Sequence, residues 1–494
     1  MLLFQLIVLS AGFIWLKDYS RLVFGTTSMI SILLLVYEFY RRDSPEFKIT
    51  WMIVIAIIPV FGALMYIYVR GGFISKDIAR HHANVRQKIA PFIPYDAEII
   101  KEISVNCEPV SGLSHYLASK AWAPPYRNTD VKYYDLGEKM YADMKARMEN
   151  AKHFIFLEFF IINSSSHMWR EVFDILSRKV REGVEVRLLY DGMGTVFTVS
   201  KDFSAALDNA GINHAEFAPV MPLLSTYQNN RDHRKIIVID GEVAFTGGIN
   251  IADEYVNRIN RFGHWKDNGV RITGAAVDRF TALFLEMWST VREDDTVYAN
   301  YIGIHRSSLE NTRGYIIPYG DCPLDDDKIG KRVYLDIINR ANKYVYIMTP
   351  YLVLDNEITE ALRYAVERGV DVKIIIPHKP DKVYAYWLAH TYYPELFKYG
   401  VGIYEYTPGF IHAKTMISDD DRAVVGTINF DYRSFYLHYE CAVLLSQVPA
   451  VADIKKDFLE TLKVSQRITE DIYKSFNPFT KLLGLAIRIV APLL

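Results

Sequence analysis

HRKIIVIDGEVAFTGGIN at 233–250 and HAKTMISDDDRAVVGTIN at 412–429 are the two stretches of sequence that decide the fold. Both follow the pattern H-x-K-x4-D-x6-G-[GT]-x-N, so the chain carries one motif twice. Because side chains alternate along a strand, the His and the Lys of each copy share one face. A strand with His and Lys on one face does not have the apolar pattern of a core strand. Two complete copies of the motif are not expected by chance.

The regions around the two motifs also match each other. Apolar runs at 151–162 and 341–352 predict buried strands, and 180–190 and 366–376 each predict a helix end, a glycine C-cap and a further strand. Corresponding positions lie on the order of 180 residues apart, which is far too long for a solenoid unit. The sequence therefore predicts an α/β fold in which two repeats, related by a pseudo-twofold axis, form one catalytic body.

Apolar residues are concentrated at the start of the chain. Uncharged runs cover 1–16, 22–37 and 49–69, and the third is long enough to cross a bilayer core. Aromatic residues flank these runs, and more Lys and Arg follow the third run than lie before it. This charge bias predicts two or three transmembrane helices that precede a cytoplasmic body, with the span of the first run left open.

These patterns divide the chain into five segments. We predict a membrane anchor at 1–72, a polar connector at 73–110, a first repeat at 111–310, a second repeat at 311–477 and an amphipathic segment at 478–494. Basic residues among the leucines and isoleucines of the last segment are typical of a helix at a membrane interface that favours anionic lipid. A terminal helix that packs on the body is the alternative.

Composition excludes several classes of protein. The 56 basic and 58 acidic residues give a formal net charge of −2, which argues against a protein that coats nucleic acid by bulk charge. The three cysteines lie far apart, so neither a disulfide framework nor a zinc site is indicated.

The repeated polar residues suit phosphoryl transfer. A neutral imidazole can attack phosphorus, and a protonated imidazole can serve the leaving oxygen, so His233 and His412 are the candidate nucleophile and acid. The symmetry of the sequence does not choose between them. Lys235 and Lys414 are predicted to hold the non-bridging phosphate oxygens, and because they carry the positive charge, no metal ion or other cofactor is expected.

Further motif residues complete the predicted site. Asp240 and Asp419, seven residues after each His, are expected to orient and polarise an imidazole, either of the same repeat or of the other. Glu440 is a secondary candidate, either to hold a histidine or to balance the lysines. The remaining predicted phosphate ligands follow the motif aspartates and are Asn250, Asn429, Gly248 and Thr427.

The duplicated H-x-K-x4-D motif resembles that of the phospholipase D superfamily, and the rest of the chain resembles the bacterial cardiolipin synthases within it. The resemblance extends from about residue 25 to the C-terminus. The stretches that carry it are WMIVIAIIPVFGALMYIYVRGG within 43–72, VRLLYDGMG (186–194), RDHRKIIVID (231–240), GGINIADEY (247–255), FGHWKDNGVRITG (262–274), GFIHAK (409–414) and GTINFDYRSFYLHYE (426–440).

The resemblance implies an activity. Members of this family condense two phosphatidylglycerols into cardiolipin and glycerol through a phosphatidyl-histidine intermediate, without a nucleotide. The usual assignment in the superfamily makes the first-motif histidine, here His233, the nucleophile and the second, here His412, the acid and base. The resemblance further implies a multi-pass protein of the bacterial plasma membrane that binds phosphatidylglycerol and anionic lipid and no nucleic acid, in an oligomeric state that stays open.

Other functions are compatible with the same motif. A membrane-bound phospholipase D-type hydrolase, or another phosphatidyltransferase, would use every one of these residues and differ only in the acceptor. A nuclease is disfavoured because the net charge is near neutral, and a catalytically dead scaffold is disfavoured because both copies of the motif are intact.

Overall fold

The structure is a computed structural model. It describes residues 20–70, 73–220, 229–294, 296–304, 309 and 312–493. The chain divides into two compact units, one holding the N-terminal helices through Phe73 with the last residues from Ile489, the other spanning Ile74–Pro222 and Gln228–Arg488. Both copies of the motif lie in the second unit.

The described residues at the start of the N-terminal unit form the helices α1 (Ser20–Tyr40), α2 (Pro45–Ile57) and α3 (Pro59–Arg70). Proline at position 59 disfavours a helical backbone at the preceding residue, and Ile58 accordingly takes φ −127° and ψ 73°. The rings of Trp51 and Tyr66 meet edge to face with their centroids 5.3 Å apart, so α2 and α3 fold back on each other.

Among the residues that the structure describes, no helix combines the length and the apolar character needed to cross a bilayer. The prediction of one continuous span over 49–69 is wrong, because the chain breaks at Ile58 into helices of 13 and 12 residues. The described helices thus do not support the transmembrane helices predicted within 1–72, nor the multi-pass topology. The first apolar run, 1–16, lies outside the described residues.

The segment predicted as a connector is helical. It contains α4 (Phe73–Ile89), α5 (Ala97–Asn106) and the start of α6 (Glu108–Lys120). Asp96 caps α5 by accepting a hydrogen bond from the backbone N–H of Glu98.

The first repeat is built on a mixed sheet of seven strands covered by helices. Its elements, in chain order, are β1 (Thr129–Tyr134), α7 (Gly137–Glu149), β2 (Phe154–Phe159), α8 (His167–Arg181), β3 (Glu185–Asp191), α9 (Gly192–Thr195), α10 (Phe203–Asn209), β4 (Asn213–Phe217), β5 (Arg231–Asp232), β6 (Ile236–Ile239), β7 (Val243–Gly247), β8 (His264–Lys266), β9 (Gly269–Gly274) and α11 (Val277–Val291). The strand order of the sheet is β1-β9-β7-β6-β2-β3-β4.

The second repeat reproduces this plan. Its elements are β10 (Tyr315–Asp321), α12 (Ile329–Arg340), β11 (Tyr344–Met348), α13 (Asn356–Glu367), β12 (Asp371–Pro377), α14 (Val383–His390), α15 (Tyr393–Tyr399), β13 (Gly402–Tyr406), β14 (Gly409–Ile411), β15 (Thr415–Ser418), β16 (Arg422–Gly426), α16 (Tyr432–Tyr436), β17 (His438–Ser446), α17 (Ala450–Lys463), β18 (Ser465–Ile468), α18 (Glu470–Ser475) and α19 (Pro478–Val490). The main path of its sheet runs β10-β17-β16-β15-β11-β12-β13-β18.

The two strand orders match position by position, with β18 added to the edge of the second sheet. The predicted α/β fold of two repeats is therefore confirmed. Local signals explain the covering helices: Ser166 caps α8 by accepting a hydrogen bond from the backbone N–H of Trp169. Helix α11 packs against β6 and β10, one strand from each repeat, and is buried all round from Val277 to Ser289.

The sheet registers place both motifs at the same kind of edge. In the first repeat β2 and β3 are parallel, and Glu158 of β2 pairs with Ile236 of the antiparallel β6. The residues just before Ile236 therefore lie where β2 and β3 end. In the second repeat Met348 pairs with Thr415 in the equivalent way. The carboxyl ends of parallel strands are where sheets of this class bind ligands.

Candidate active site

A short strand brings His233 to the second repeat. β5 pairs in parallel with β17, in a register that matches Asp232 with Tyr439. The backbone N–H of His233 then donates to the carbonyl of Tyr439 at 2.9 Å. The next residue of β17 is Glu440, which comes opposite His233.

The second motif mirrors this arrangement. β14 pairs in parallel with β8, in a register that matches Ile411 with Lys266. The backbone N–H of His412 donates to the carbonyl of Lys266 at 2.7 Å. Asp267, the next residue, comes opposite His412, so each histidine meets a carboxylate of the other repeat.

Glu440 holds His233 through a small buried network. The His233 Nδ1 lies 2.9 Å from Oε1 and 3.0 Å from Oε2 of Glu440, whose side chain is fully buried. The hydroxyl of Ser434 donates to Oε1 at 2.7 Å, and the hydroxyl of Thr427 donates to Oε2. Four interactions therefore fix the carboxylate in one orientation.

Asp267 holds His412 in the same way. The His412 Nδ1 lies 2.7 Å from Oδ2 of Asp267, and the backbone N–H of Asn268 donates to Oδ1 at 2.9 Å. Gly248 leaves the space that this carboxylate needs, because a Cβ there would lie 2.0 Å from Asp267 Oδ1.

These contacts determine the tautomers. An ionised carboxylate only accepts hydrogen bonds, so the Nδ1 of each imidazole carries the proton and donates it. The lone pair of each neutral ring is then on Nε2. Two imidazoles held in this state can each act as a nucleophile or a base.

The motif lysines are buried beside the histidines. The Lys235 Nζ donates to the carbonyl of His233 at 2.6 Å, and Lys414 makes the same contact with the carbonyl of His412. Burial lowers the pKa of Lys235 to about 8 and that of Lys414 to about 7. Each lysine therefore has a pKa near neutral pH, and the negative charge of an incoming phosphate would stabilise its protonated form.

The same environment keeps the histidines neutral. Burial, followed by the charges of Lys235 and Lys414, lowers the pKa of His233 well below its ordinary value. Burial lowers the pKa of His412 to about 4, although Asp267 opposes the change. Each motif histidine is held by a carboxylate of the other repeat, so the structure brings the two motifs together at one site.

The motif aspartates bind backbone N–H groups, while Glu440 and Asp267 hold the motif imidazoles. Asp240 accepts hydrogen bonds from the backbone N–H groups of Lys152, His153 and Phe154. Asp419 does the same for Asn342, Lys343 and Tyr344. The prediction that these aspartates orient the histidines is wrong: each instead anchors the start of a central strand, β2 or β11.

Of the predicted phosphate ligands, two support the carboxylates. Thr427 holds Glu440, and Gly248 makes room for Asp267. Asn250 accepts from the backbone N–H of Ile161 and donates to the hydroxyl of Tyr255 at 2.8 Å. The Oδ1 of Asn429 is buried without a hydrogen-bond partner among the described residues.

Sequence reasoning missed a difference between the two half-sites, by which we mean the surroundings of His233 and of His412. His438 lies two residues before Glu440, with its ring centroid 5.4 Å from that of His233, and its Nε2 accepts a hydrogen bond from Arg433. Trp265 occupies the equivalent place two residues before Asp267, with its ring centroid 5.3 Å from that of His412. Aligning β8 and β9 with β17 would have matched Asp267 with Glu440.

One group in the described part of the chain has the spacing of metal ligands. His233, His438 and Glu440 bring one ligand atom each to within 4.8 Å of one another. The charges of Lys235 and Lys414, which already depress the pKa of His233, disfavour a further cation there. These residues fit an anionic ligand better than a metal ion.

Comparisons with known proteins match both repeats. A family model described as cardiolipin synthase, PLD-like domain, matches residues 144–288 and 334–462, and a model described as phospholipase D-nuclease N-terminal matches 29–71. A cardiolipin synthase of Alkalihalophilus pseudofirmus is 33% identical over 506 residues, covering 100% of this chain and 98% of its own. An uncharacterized protein of Streptococcus mutans serotype c is 48% identical over 446 residues, covering 90% and 96%.

A solved structure supports the fold. The phosphatidylserine synthase of Haemophilus influenzae superposes with a TM-score of 0.58 at 15% identity, covering 74% of this chain and 95% of its own. The duplicated sheet and the family matches over both repeats lead to one assignment. The chain belongs to the cardiolipin synthase family of phospholipase D-like proteins.

Proposed function

We propose that this protein is a phospholipid phosphatidyltransferase, and specifically a cardiolipin synthase that transfers a phosphatidyl group from one phosphatidylglycerol to another. The observation that carries the proposal is the pair of neutral imidazoles, each oriented by a carboxylate of the other repeat, beside two buried lysines. Such a site supplies a nucleophile, an acid and a cationic cradle for a phosphodiester.

The first step forms a covalent intermediate. The Nε2 of His233 attacks the phosphorus of phosphatidylglycerol, and the bond from phosphorus to the oxygen of the glycerol headgroup breaks. His412, protonated once the anionic phosphate has entered, gives its Nε2 proton to that oxygen, and glycerol leaves. Lys235 and Lys414 hold the non-bridging oxygens while charge develops, with the amides of Asn250 and Asn429 beside them.

The second step releases the product. The headgroup hydroxyl of a second phosphatidylglycerol gives its proton to His412 and attacks the phosphorus, and the bond from phosphorus to His233 breaks. Cardiolipin leaves, and no nucleotide or metal ion takes part. The small exposure of the site, 7% for His233 and 6% for His412, favours a lipid hydroxyl over water as the acceptor.

We place the protein at the bacterial plasma membrane because its proposed substrates are membrane lipids. Exposed apolar side chains on α1, including Leu33 and Phe39, and on α19, including Phe479 and Leu482, suit contact with acyl chains. Membrane embedding with a cytoplasmic catalytic body is the arrangement that the distribution of Lys and Arg favours.

Product analysis tests the proposal. The full-length protein is reconstituted in nanodiscs that contain phosphatidylglycerol as the phospholipid substrate, and the lipids are analysed by mass spectrometry. We expect cardiolipin and an equal amount of glycerol. Phosphatidic acid in place of cardiolipin would identify a hydrolase, and no turnover would contradict both activities.

A further inference from the structure

Two loops with exposed apolar side chains border the site. In the first repeat, Met193, Val196 and Phe197 follow β3, and the side chain of Phe197 is 92% exposed. In the second repeat, Val383 and Tyr384 follow β12 and are 51% and 46% exposed. We call residues 193–201 and 378–384, which include most of α9 and the start of α14, the rim loops. The mechanism proposed above uses neither loop.

The side chain of Phe160 lies between the first rim loop and His233. β2 and β3 are parallel, with Phe159 paired to Tyr190, so both strands end at the same edge of the sheet. A Cβ on Gly194 would lie 1.9 Å from the carbonyl oxygen of Phe160. The ring of Phe160 in turn has its centroid 5.1 Å from that of His233.

The second rim loop reaches the site from the other repeat. The hydroxyl of Tyr351, which follows β11, donates to Asp381 at 2.6 Å, and the Lys382 Nζ lies 5.2 Å from the centroid of the Tyr351 ring. β11 and β12 are parallel, with Met348 paired to Ile375, so residues 378–384 follow β12 at the sheet edge where the second motif lies. The two rim loops thus flank the site from pseudo-symmetric positions.

We propose that the rim loops dock on the surface of an anionic phospholipid bilayer and bring a lipid headgroup to His233 and His412. The proposal rests on the proposed function, which requires a membrane lipid as substrate. Exposed aromatic and aliphatic side chains at a loop tip partition into the boundary between headgroups and acyl chains.

The charges of the rim loops complement such a surface. Lys201, Lys379 and Lys382 are exposed there, against one exposed carboxylate beside them, Asp202, and the hydrogen-bonded Asp381. An excess of Lys beside apolar side chains favours anionic headgroups over neutral ones. This combination commits the surface to lipid rather than to a second copy of the chain.

Fluorescence quenching tests the docking. The three native cysteines are buried, so a cysteine introduced by Phe197→Cys or Tyr384→Cys can be labelled selectively with an environment-sensitive dye. The matched control is Tyr364→Cys, which is 55% exposed and lies near the end of α13, at the opposite edge of the sheet. The full chain is studied in nanodiscs with phosphatidylglycerol and nitroxide-labelled lipid.

We expect strong quenching of the dye at positions 197 and 384 and little at 364. Equal quenching at all three positions, or none at 197 and 384, would overturn the proposal. Cross-linking of these cysteines between copies, without lipid quenching, would assign the surface to self-association and overturn it equally.

Turnover provides a second readout. In Phe197→Ser we expect the ratio of turnover on bilayer phosphatidylglycerol to turnover on a monomeric short-chain analogue to fall about tenfold, because less apolar area partitions into lipid. Tyr364→Ser should keep the ratio, and an unchanged ratio in Phe197→Ser would contradict docking. If the unaltered protein turns over neither substrate, the proposed function fails, while quenching still decides the docking.

Discussion

Glu440 and Asp267 decide, at the scale of single residues, which nitrogen of each imidazole can react. Glu440 fixes the tautomer of His233 because both of its oxygens accept hydrogen bonds. Oε1 accepts one from Ser434, Oε2 accepts one from Thr427, and both accept from His233. The Asp267 carboxylate stays ionised because His412 and Lys414 overcome the effect of burial and lower its pKa. Each of the two buried carboxylates thus holds one imidazole, and the two buried lysines lie beside them.

Replacing Glu440 with glutamine tests this role. The amide would place a donor against the hydroxyls or His233, so a donor must turn away and the imidazole loses its fixed tautomer. We expect kcat to fall by about 10²- to 10⁴-fold in Glu440→Gln, with the fold retained. The measurement is initial-rate cardiolipin formation, together with a thermal unfolding curve.

Asp240→Asn is the matched control. It weakens the hydrogen bonds to the start of β2, so we expect a loss of about 1–3 kcal/mol in the free energy of unfolding and a change in kcat of less than about tenfold. A larger loss of kcat in Asp240→Asn than in Glu440→Gln would contradict the assignment of the two carboxylates.

The buried lysines predict a fall of activity on the alkaline side. An ammonium attracts phosphate only while protonated, so its contribution is present below its pKa and is lost as pH rises through it. With Lys414 at about 7 and Lys235 at about 8, kcat/KM should fall from about pH 7 upward, since this parameter reports the free enzyme. On the acid side, His412 gains its proton only near pH 4.

Lys414→Arg provides the control for this profile, measured as kcat/KM from about pH 5 to 9. A guanidinium stays protonated over the whole range, so the fall should move toward the pKa of Lys235, about 8. A flat profile up to pH 9 in the unaltered protein would contradict a role for the lysine charges.

At the scale of elements, strand pairing between the repeats builds the site. The motif spacing predicted the duplicated sheet and the meeting of the two histidines, since both depend on period-two alternation and on repetition. The carboxylate partners depend instead on β5 pairing with β17 and β14 with β8, which join distant parts of the chain. The prediction for Asp240 and Asp419 failed because their fixed distance from the histidines reflects a turn and not a contact. Both residues adopt positive φ, 54° and 56°, and bind backbone N–H groups.

Close packing at the end of β7 yields an element-scale prediction. In Gly248→Ala, the added Cβ would collide with the Asp267 carboxylate, which must then leave His412 or push β7 away from β9. We expect a loss of about 1–3 kcal/mol in the free energy of unfolding and a fall of at least about tenfold in kcat. Thermal unfolding and initial rates measure the two effects.

Gly369→Ala serves as the comparison, because no described heavy atom beyond the two neighbouring residues lies within 4 Å of the added Cβ and only its positive φ of 89° causes strain. It should cost about 1 kcal/mol of stability and leave kcat unchanged. An active Gly248→Ala enzyme with normal kcat would show that Asp267 need not stay in place.

The second unit as a whole is a pseudo-twofold assembly in which the surroundings of the two motif histidines differ. Both repeats contribute a histidine, a lysine and a carboxylate in matching places, but His438 stands beside His233 where Trp265 stands beside His412. Burial lowers the pKa of His438 to about 3, so the ring stays neutral, and its Nδ1 lies 3.6 Å from Glu440 Oε1. The half-site around His233 is therefore the more polar one.

This asymmetry bears on which histidine forms the covalent bond. A polar half-site with a fully hydrogen-bonded carboxylate stabilises the positive charge that the imidazole of His233 acquires when it attacks phosphorus. We expect His412→Ala to accumulate a phosphatidyl adduct on His233 after mixing with phosphatidylglycerol, because the adduct forms slowly and is then not released. His233→Ala should form none. Acid-quenched protein, digested and analysed by mass spectrometry, locates the adduct; an adduct on His412 in His233→Ala, with none in His412→Ala, would reverse the roles of the two repeats.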